Sequence, residues 1–229
     1  MRPLVLVIGV LVVAAVVAER VAPRVAERRV ADALVTRFSL SQRPRVDLGG
    51  FPFLLRAASG QLDHVNVSLS DYVTQGLRFA DIELHVGRIT YPPTAPLRGG
   101  TASASAITGT ARVTQADLAT YLLSVGSSLV VRLSAGRVTV IDHVTVAGIA
   151  ADVSATGVLS VAGQSLTFRP DVVSLGPLAS ALADAAGIRS RLSFTAPLPD
   201  IVGIHVQSLT IVDGAAMAQA SVDDMTFSL

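Results

Sequence analysis

Beyond Arg45, apolar and polar residues alternate in segment after segment. The pattern runs through Asp63-Val65-Val67-Leu69, Ile82-Leu84-Val86, Val138-Val140, Val144-Val146, Val153-Ala155-Gly157-Leu159-Val161, Leu166-Phe168, Ile204-Val206, Leu209-Ile211 and Met225-Phe227-Leu229. Successive side chains of a strand point to opposite faces, so a period of two predicts antiparallel strands, each with one face buried and one solvated. Turn residues separate these runs at Tyr91-Pro92-Pro93-Thr94-Ala95-Pro96, Arg98-Gly99-Gly100, Ala162-Gly163 and Asp213-Gly214. They set the strand boundaries. A sheet of this size must bury its apolar face, which requires it to stack on helices or to bend.

Helical spacing appears first between residues 23 and 38. Pro23 suits a first helical turn, and Ala22, Ala26, Val30, Ala33, Leu34 and Phe38 recur at intervals of three and four, opposite Arg20, Arg24, Glu27 and Arg28. This predicts an amphipathic helix whose narrow, Ala-rich stripe can lie close against a sheet. Shorter helices are expected over Phe53 to Ser59, Thr114 to Ser124 and Leu178 to Ala186; Thr114 with Asp117 has capping-box spacing, and Pro177 precedes the third helix. No linker divides the chain, so residues 19–229 are expected to form one domain. The echo of Asp63-His64-Val65-Asn66-Val67 in Asp142-His143-Val144-Thr145-Val146 reads as the chance likeness of alternating strands rather than as two duplicated halves.

The chain opens with Met1-Arg2 and a run, Leu4 to Ala18, in which 14 of 15 residues are apolar. A positive end, a short apolar stretch and the small or modest residues Val16-Val17-Ala18 mark an export segment, so the remainder is expected outside the cytoplasm, in the periplasm or cell envelope. The run is about 22 Å long as a helix, shorter than a ~30 Å hydrocarbon core, although snorkelling Arg2 and Arg20 can extend it. Cleaved signal peptide and retained anchor, residues 1–18, both stay open. The following stretch, Glu19 to Arg45, holds seven arginines against three acids, whereas ten arginines face fourteen acids from Val46 onward. Such a collar is drawn to anionic headgroups. A solvated helix face accounts for it equally well.

Composition removes several kinds of function. With 51% hydrophobic and 15% charged residues the chain can bury a core, and it is not disordered. Cysteine is absent, which excludes disulfide frameworks, thiol catalysis and cysteine zinc sites. All 18 cationic side chains are arginine, a bias we read as genomic. A net charge of +1 and 4% aromatic residues offer neither the basic stripe nor the stacking platform of a nucleic-acid binder.

Catalytic motifs are missing as well. Gly163-Gln164-Ser165 lacks the second glycine of a nucleophile elbow, and His64, His85, His143 and His205 fall on strands without metal-binding spacing. Asp223-Asp224 are strand neighbours that face opposite ways. Gly49-Gly50 and Gly99-Gly100 lack the residues of a phosphate cradle and read as turns, and the sequon Asn66-Val67-Ser68 matters only in a host that glycosylates. No catalytic residue, cofactor or metal is expected. What remains is apolar surface, either packed shut or left as a groove lined by Val, Leu, Ala and Ile that suits an acyl chain at ~0.8 kcal/mol per methylene.

Three segments together carry a resemblance. Gly49-Gly50-Phe51-Pro52-Phe53-Leu54, the stretch Ile107-Thr108-Gly109-Thr110-Ala111-Arg112-Val113-Thr114-Gln115-Ala116-Asp117-Leu118, and the closing Leu198-Pro199-Asp200 through Val212-Asp213-Gly214 to Phe227 resemble the LmeA family of actinobacterial envelope proteins over about residues 20–229. The resemblance implies a non-enzymatic phospholipid-binding protein supporting lipomannan-type lipoglycan synthesis. Its fold would be α+β: a strongly curved antiparallel sheet wrapped around a long N-terminal helix, similar to the tubular (TULIP) lipid-binding class. Asp200-Ile201-Val202-Gly203-Ile204 departs from the expected more basic or Gly-Leu-containing stretch, which bears on headgroup preference.

On this reading Phe51, Phe53, Leu54, Ile82, Leu84, Val86, Val153 and Leu159 are candidates to line the acyl chains. Arg28, Arg29, Arg43 and Arg45 are candidates for the headgroup or the outer surface of the cytoplasmic membrane. The alternative is a lipid-free scaffold that stabilises an envelope glycosyltransferase.

Overall fold

A computed structural model describes residues 2–74, 76–95, 99–146, 149–162, 165–174, 194–197 and 204–228. The protein is α+β, with a helix at the N-terminus and antiparallel sheets. In chain order the elements are α1 (Arg2–Phe38), β1 (Arg45–Leu48), α2 (Phe53–Ala58), β2 (Gln61–Thr74), β3 (Leu77–Thr90), β4 (Thr101–Thr114) and α3 (Gln115–Ser124). Then follow β5 (Val130–Ser134), β6 (Arg137–Val146), β7 (Ile149–Ala162), β8 (Ser165–Ser174), β9 (Phe194–Pro197), β10 (Ile204–Val212), β11 (Ala215–Val222) and β12 (Met225–Ser228). The expected third short helix, Leu178 to Ala186, and the segment 198–203 lie outside the described residues.

The strands form two sheets. One runs β1-β2-β3-β4-β11-β10, with β12 also paired to β4; the other runs β5-β6-β7-β8-β9. Neither is strongly curled, so the expected strongly curved wall around the helix is not seen among the described residues. The physical reason is that burial is divided. By contact density the chain forms two compact units, Met1–Leu69 with Glu83–Thr108 and Val222–Leu229, and Ser70–Ile82 with Gly109–Ser221. Each has its own apolar cluster.

In the first unit Ala31, Val46, Leu48, Phe53 and Val65 are buried, with Ala22, Ala26, Leu34, Leu62, Val67, Val86 and Ile89 packed on them. The Ala-rich stripe of α1 thus meets β1 and β2 as its small side chains allow. The helix itself differs from expectation. It is continuous from Arg2, so Pro23 sits inside it and not at its start. Ala31 is buried whereas Val30, Ala33 and Phe38 are exposed, because only four-residue β1 and short α2 return along a helix about 55 Å long.

In the second unit Val131, Leu133, Val138, Ala155, Phe168 and Ile211 form the core, supported by Leu118, Leu122, Val140, Leu159, Val173 and Ala216. β5 to β8 are paired antiparallel in sequence order. Their inward residues fall at the alternate positions that the period of two predicts. The register shifts once, between Thr156 and Gly157, where a Cβ at Gly157 would lie 2.1 Å from the Arg169 carbonyl oxygen. Only glycine fits there.

Two irregularities re-aim side chains in the first unit. Ala106 has φ 54° inside β4, and burial moves from Ala102 and Ala104 to Ile107, a slip of one residue to the other parity. Likewise His64 has φ 57° inside β2, so Leu62 joins Val65 and Val67 in the core. Asp63, expected on that same face, instead pairs with Arg56 and Arg88. His143, the counterpart of His64 in the sequence echo, sits in regular pairing opposite Asp152.

Candidate functional site

After α1 the chain reverses and runs back along it, and three acidic side chains of the helix fix the return. Asp32 pairs with Arg43, whose guanidinium also donates to the Arg28 carbonyl at 3.5 Å. Glu27 Oε1 accepts from the backbone N–H of Leu48 at 3.2 Å. Glu19 accepts from the N–H groups of Phe53, through Oε1, and Leu54, through Oε2 at 3.1 Å. The order Asp32, Glu27, Glu19 against Arg43, Leu48, Phe53 makes the returning segment antiparallel to α1.

Glu19 does more than register the chain. The first N–H groups of a helix lack internal partners, and the residue before α2 is Pro52, whose side chain cannot cap. A carboxylate from α1 therefore caps α2, where the helix dipole also favours negative charge. The other end of α2 is held by Tyr91, whose hydroxyl donates to the Ala57 carbonyl at 2.9 Å and whose N–H donates to the Gly60 carbonyl at 2.8 Å. Burial raises the Tyr91 phenol above its ordinary value of 10.0. Gly60 has φ +79°, and a Cβ there would lie 2.0 Å from the Tyr91 carbonyl oxygen. Between the ends, Arg56 pairs with half-buried Asp63, and Arg88 Nε reaches the same carboxylate at 3.3 Å.

Held at both ends, α2 turns Phe53 into the core at 7% exposure while Phe51 stays 83% and Leu55 69% exposed. Leu54 is exposed as well, and so are Val16, Val17, Val21 and Val25 of α1. The segment was expected to line an acyl-chain site as a block. Only Phe53 of the three candidates faces inward, and it is filled around by Val46, Leu48 and Val65.

The remaining candidates divide between the units. Leu84 and Val86 lie half-buried on β3 in the first, where Val86 packs against the core. Ile82 belongs to the second unit, together with half-buried Val153 and Leu159 on β7, and Leu159 packs against the cluster around Phe168. Arg28 and Arg29 are exposed on α1 and Arg45 is exposed at the start of β1. Arg43 is exposed but already paired with Asp32.

Sequence reasoning missed Glu19, Glu27, Leu55 and Tyr91. A usable signal existed for the two glutamates: they stand eight residues apart, about two turns, on a helix otherwise rich in arginine. Of the histidines, His85 Nδ1 lies 2.8 Å from Asn66 Oδ1, and His143 pairs with exposed Asp152. Among the described residues no three His, Asp or Glu side chains gather as a metal would require.

The second unit carries its own charged cluster. Arg78, near the start of β3, bridges Asp71 of β2 and Asp117 of α3, the latter at 3.1 Å. Desolvation of buried Asp117 works to raise its carboxyl, but hydrogen bonds from Thr114 and Arg78, with the charge of Arg78, outweigh it and hold the group below its ordinary 3.8. The same two carboxylates raise the Arg78 guanidinium above its usual range, with the hydrogen bond to Asp71 first. These groups fasten a hairpin to a helix.

No curated protein and no solved structure matches the chain. A family model described as LmeA-like phospholipid-binding does match, over residues 17–217, a span that starts at the end of the apolar run and covers most of both compact units. With most of its length inside that match, the chain belongs to the LmeA-like phospholipid-binding family.

Proposed function

We propose that this protein is an exported, non-enzymatic carrier or holder of phospholipid that works at the outer face of the cytoplasmic membrane and supports lipoglycan synthesis. The family match over residues 17–217 carries the reading. Acyl chains lie along apolar sheet faces, with Leu84 and Val86 in one unit and Ile82, Val153 and Leu159 in the other as the contributing side chains. This needs an apolar wall that can open, rather than a wall already closed into a tube. Each methylene so buried is worth ~0.8 kcal/mol, so two acyl chains retain a phospholipid without strong headgroup contacts. The exposed arginines Arg28, Arg29 and Arg45 serve the headgroup or the membrane surface.

Native mass spectrometry of the protein, stripped of lipid and reloaded from a phospholipid mixture, tests the reading. A bound phospholipid at a fixed ratio is expected, and its consistent absence removes the proposal. Should the stripped protein instead keep a single cross-linked envelope glycosyltransferase, it acts as a lipid-free scaffold.

A further inference from the structure

We propose that Leu54 and Leu55 on the outward edge of α2, with Phe51 just before it, form a wedge that enters the headgroup–acyl boundary of a bilayer beside the apolar run Leu4 to Ala18. The inference deepens the membrane-surface part of the reading above and does not depend on bound cargo.

Its first support is position. Glu19 joins α1 to the N–H groups of Phe53 and Leu54, and Glu19 directly follows the apolar run Leu4 to Ala18. Backbone helix is continuous from Arg2 through this point. The N-terminal end of α2 therefore stands level with Glu19, about one turn along α1 from exposed Val16 and Val17. Wherever that turn meets the bilayer, Phe51, Leu54 and Leu55 meet it at the same depth.

The second support is the pattern of charge. Arg20 and Arg24 are exposed within the next turns of α1, and Arg28 and Arg29 follow them. The sequence along α1 is thus apolar run, α2 level, then cations, which is the layering of acyl chains below anionic headgroups. The third is rigidity. Leu54 and Leu55 on a six-residue helix, and Phe51 just before it, gain nothing from exposure to water, yet Glu19, Asp63 and Tyr91 hold the helix so that Phe53 and Ala57 turn inward and these three do not. A surface fixed in advance in its inserting pose loses little conformational freedom on insertion. Phe51 and Leu54, expected to line the cargo site, are reassigned by this argument to the bilayer.

The chain has no tryptophan, so Phe51→Trp and Leu55→Trp each supply a single indole reporter. The full-length variants are reconstituted in phosphatidylglycerol–phosphatidylcholine vesicles whose acyl chains carry bromine close to the headgroup end. Indole at positions 51 and 55 is expected to shift to the blue and to lose about half its emission or more, as an aromatic group at the interface does. Phe38→Trp is the reference: it is exposed in the same unit and lies about 28 Å farther along α1, so its emission stays as in plain vesicles.

Three results overturn the wedge. Position 51 and position 55 both unquenched in anchored protein is the first, and equal quenching at position 38 is the second. The third is full quenching by one brominated phospholipid per chain in otherwise plain vesicles, which places Phe51 on cargo. If native mass spectrometry finds no bound lipid while positions 51 and 55 are quenched by the brominated bilayer, the cargo reading fails and the wedge stands. The converse pair of results removes the wedge alone.

Discussion

Two short helices, α2 and α3, obtain the same thing by opposite means. α3 is capped by its own neighbours: the Thr114 side chain accepts from the Asp117 N–H at 3.2 Å, and Asp117 accepts from Thr114 in return. α2 has no side-chain N-cap of its own and borrows one from Glu19, 34 residues earlier, while Tyr91, 34 residues after Ala57, adds a distant hold to the local bonds at its C-terminal end. Local capping lets a helix form ahead of the fold around it. Borrowed capping makes α2 conditional on α1, so α2 reports whether the first unit is assembled, whereas α3 carries its N-cap locally and only adds distant bonds, from Arg78 to Asp117 and from the Gln115 N–H to the Gly214 carbonyl.

Substitution at the two ends of α2 puts that contrast to its strongest test. Gly60→Ala places a methyl group against the Tyr91 carbonyl in a left-handed backbone conformation, and overpacking together with the strained φ costs roughly 2–4 kcal/mol. Urea denaturation should show that loss, with amides of α2 exchanging faster and those of α3 unchanged. Equal acceleration in both helices contradicts the separation drawn here. Glu19→Ala comes next. It strands two N–H groups that were bonded to a carboxylate, and about 1–2 kcal/mol is expected, since Phe53 is buried but Leu54 is open to water. Hydrogen exchange at the Phe53 and Leu54 amides reads the effect directly.

Thr114→Ala is the matching change in α3 and is expected to cost about 1 kcal/mol, the ordinary worth of an N-cap. Its signature is fraying of the first turn only. Because Arg78 still pairs with Asp117 and Asp71, the β2–β3 hairpin should keep its protection. Loss of protection there as well would mean that the box, and not the arginine bridge, organises this part of the second unit.

The difference between the helices also decides what could be read from sequence. α3 and its box were visible because donor and acceptor stand three residues apart, and β6, β7 and β8 were visible because their apolar positions alternate as large Val, Leu and Phe. β4 escaped notice although Ala102, at 0% exposure, is as buried as any described residue. Its inward side chains are alanines among serines, which carry no hydrophobic signal. The bulges at His64 and Ala106 were unreadable for a different reason: they depend on the partner strand, such as Gly87, where a Cβ would sit 2.8 Å from that of Ala106. Of the candidate site, the Phe51 to Leu54 segment stood out in the sequence as part of the family resemblance and as candidate acyl-chain lining. Which way each side chain faces was set by Glu19 and Tyr91, and no local pattern contains that information.

The smallest predicted effect separates the helices by pH. Tyr91 is neutral in the folded protein to a higher pH than in the unfolded chain, because burial disfavours the phenolate. Its contribution is therefore complete below pH 10.0, the unfolded value, and is lost as pH rises through the folded value. Asp117 has the opposite sign. Its folded carboxyl titrates below 3.8, so its contribution is complete above that pH and fades as pH falls through the folded value. Alkali should thus loosen α2 first and acid α3 first, with neither helix affected between about pH 5 and 9 by these two groups. Tyr91→Phe should flatten the alkaline limb of a stability–pH curve and leave the acid limb, while Asp117→Asn does the reverse. If Tyr91→Phe left the alkaline limb as steep as before, the hold on the C-terminal end of α2 would come from its backbone bonds, Tyr91 N–H to Gly60 and Gly60 N–H to Ala57, and not from the phenol.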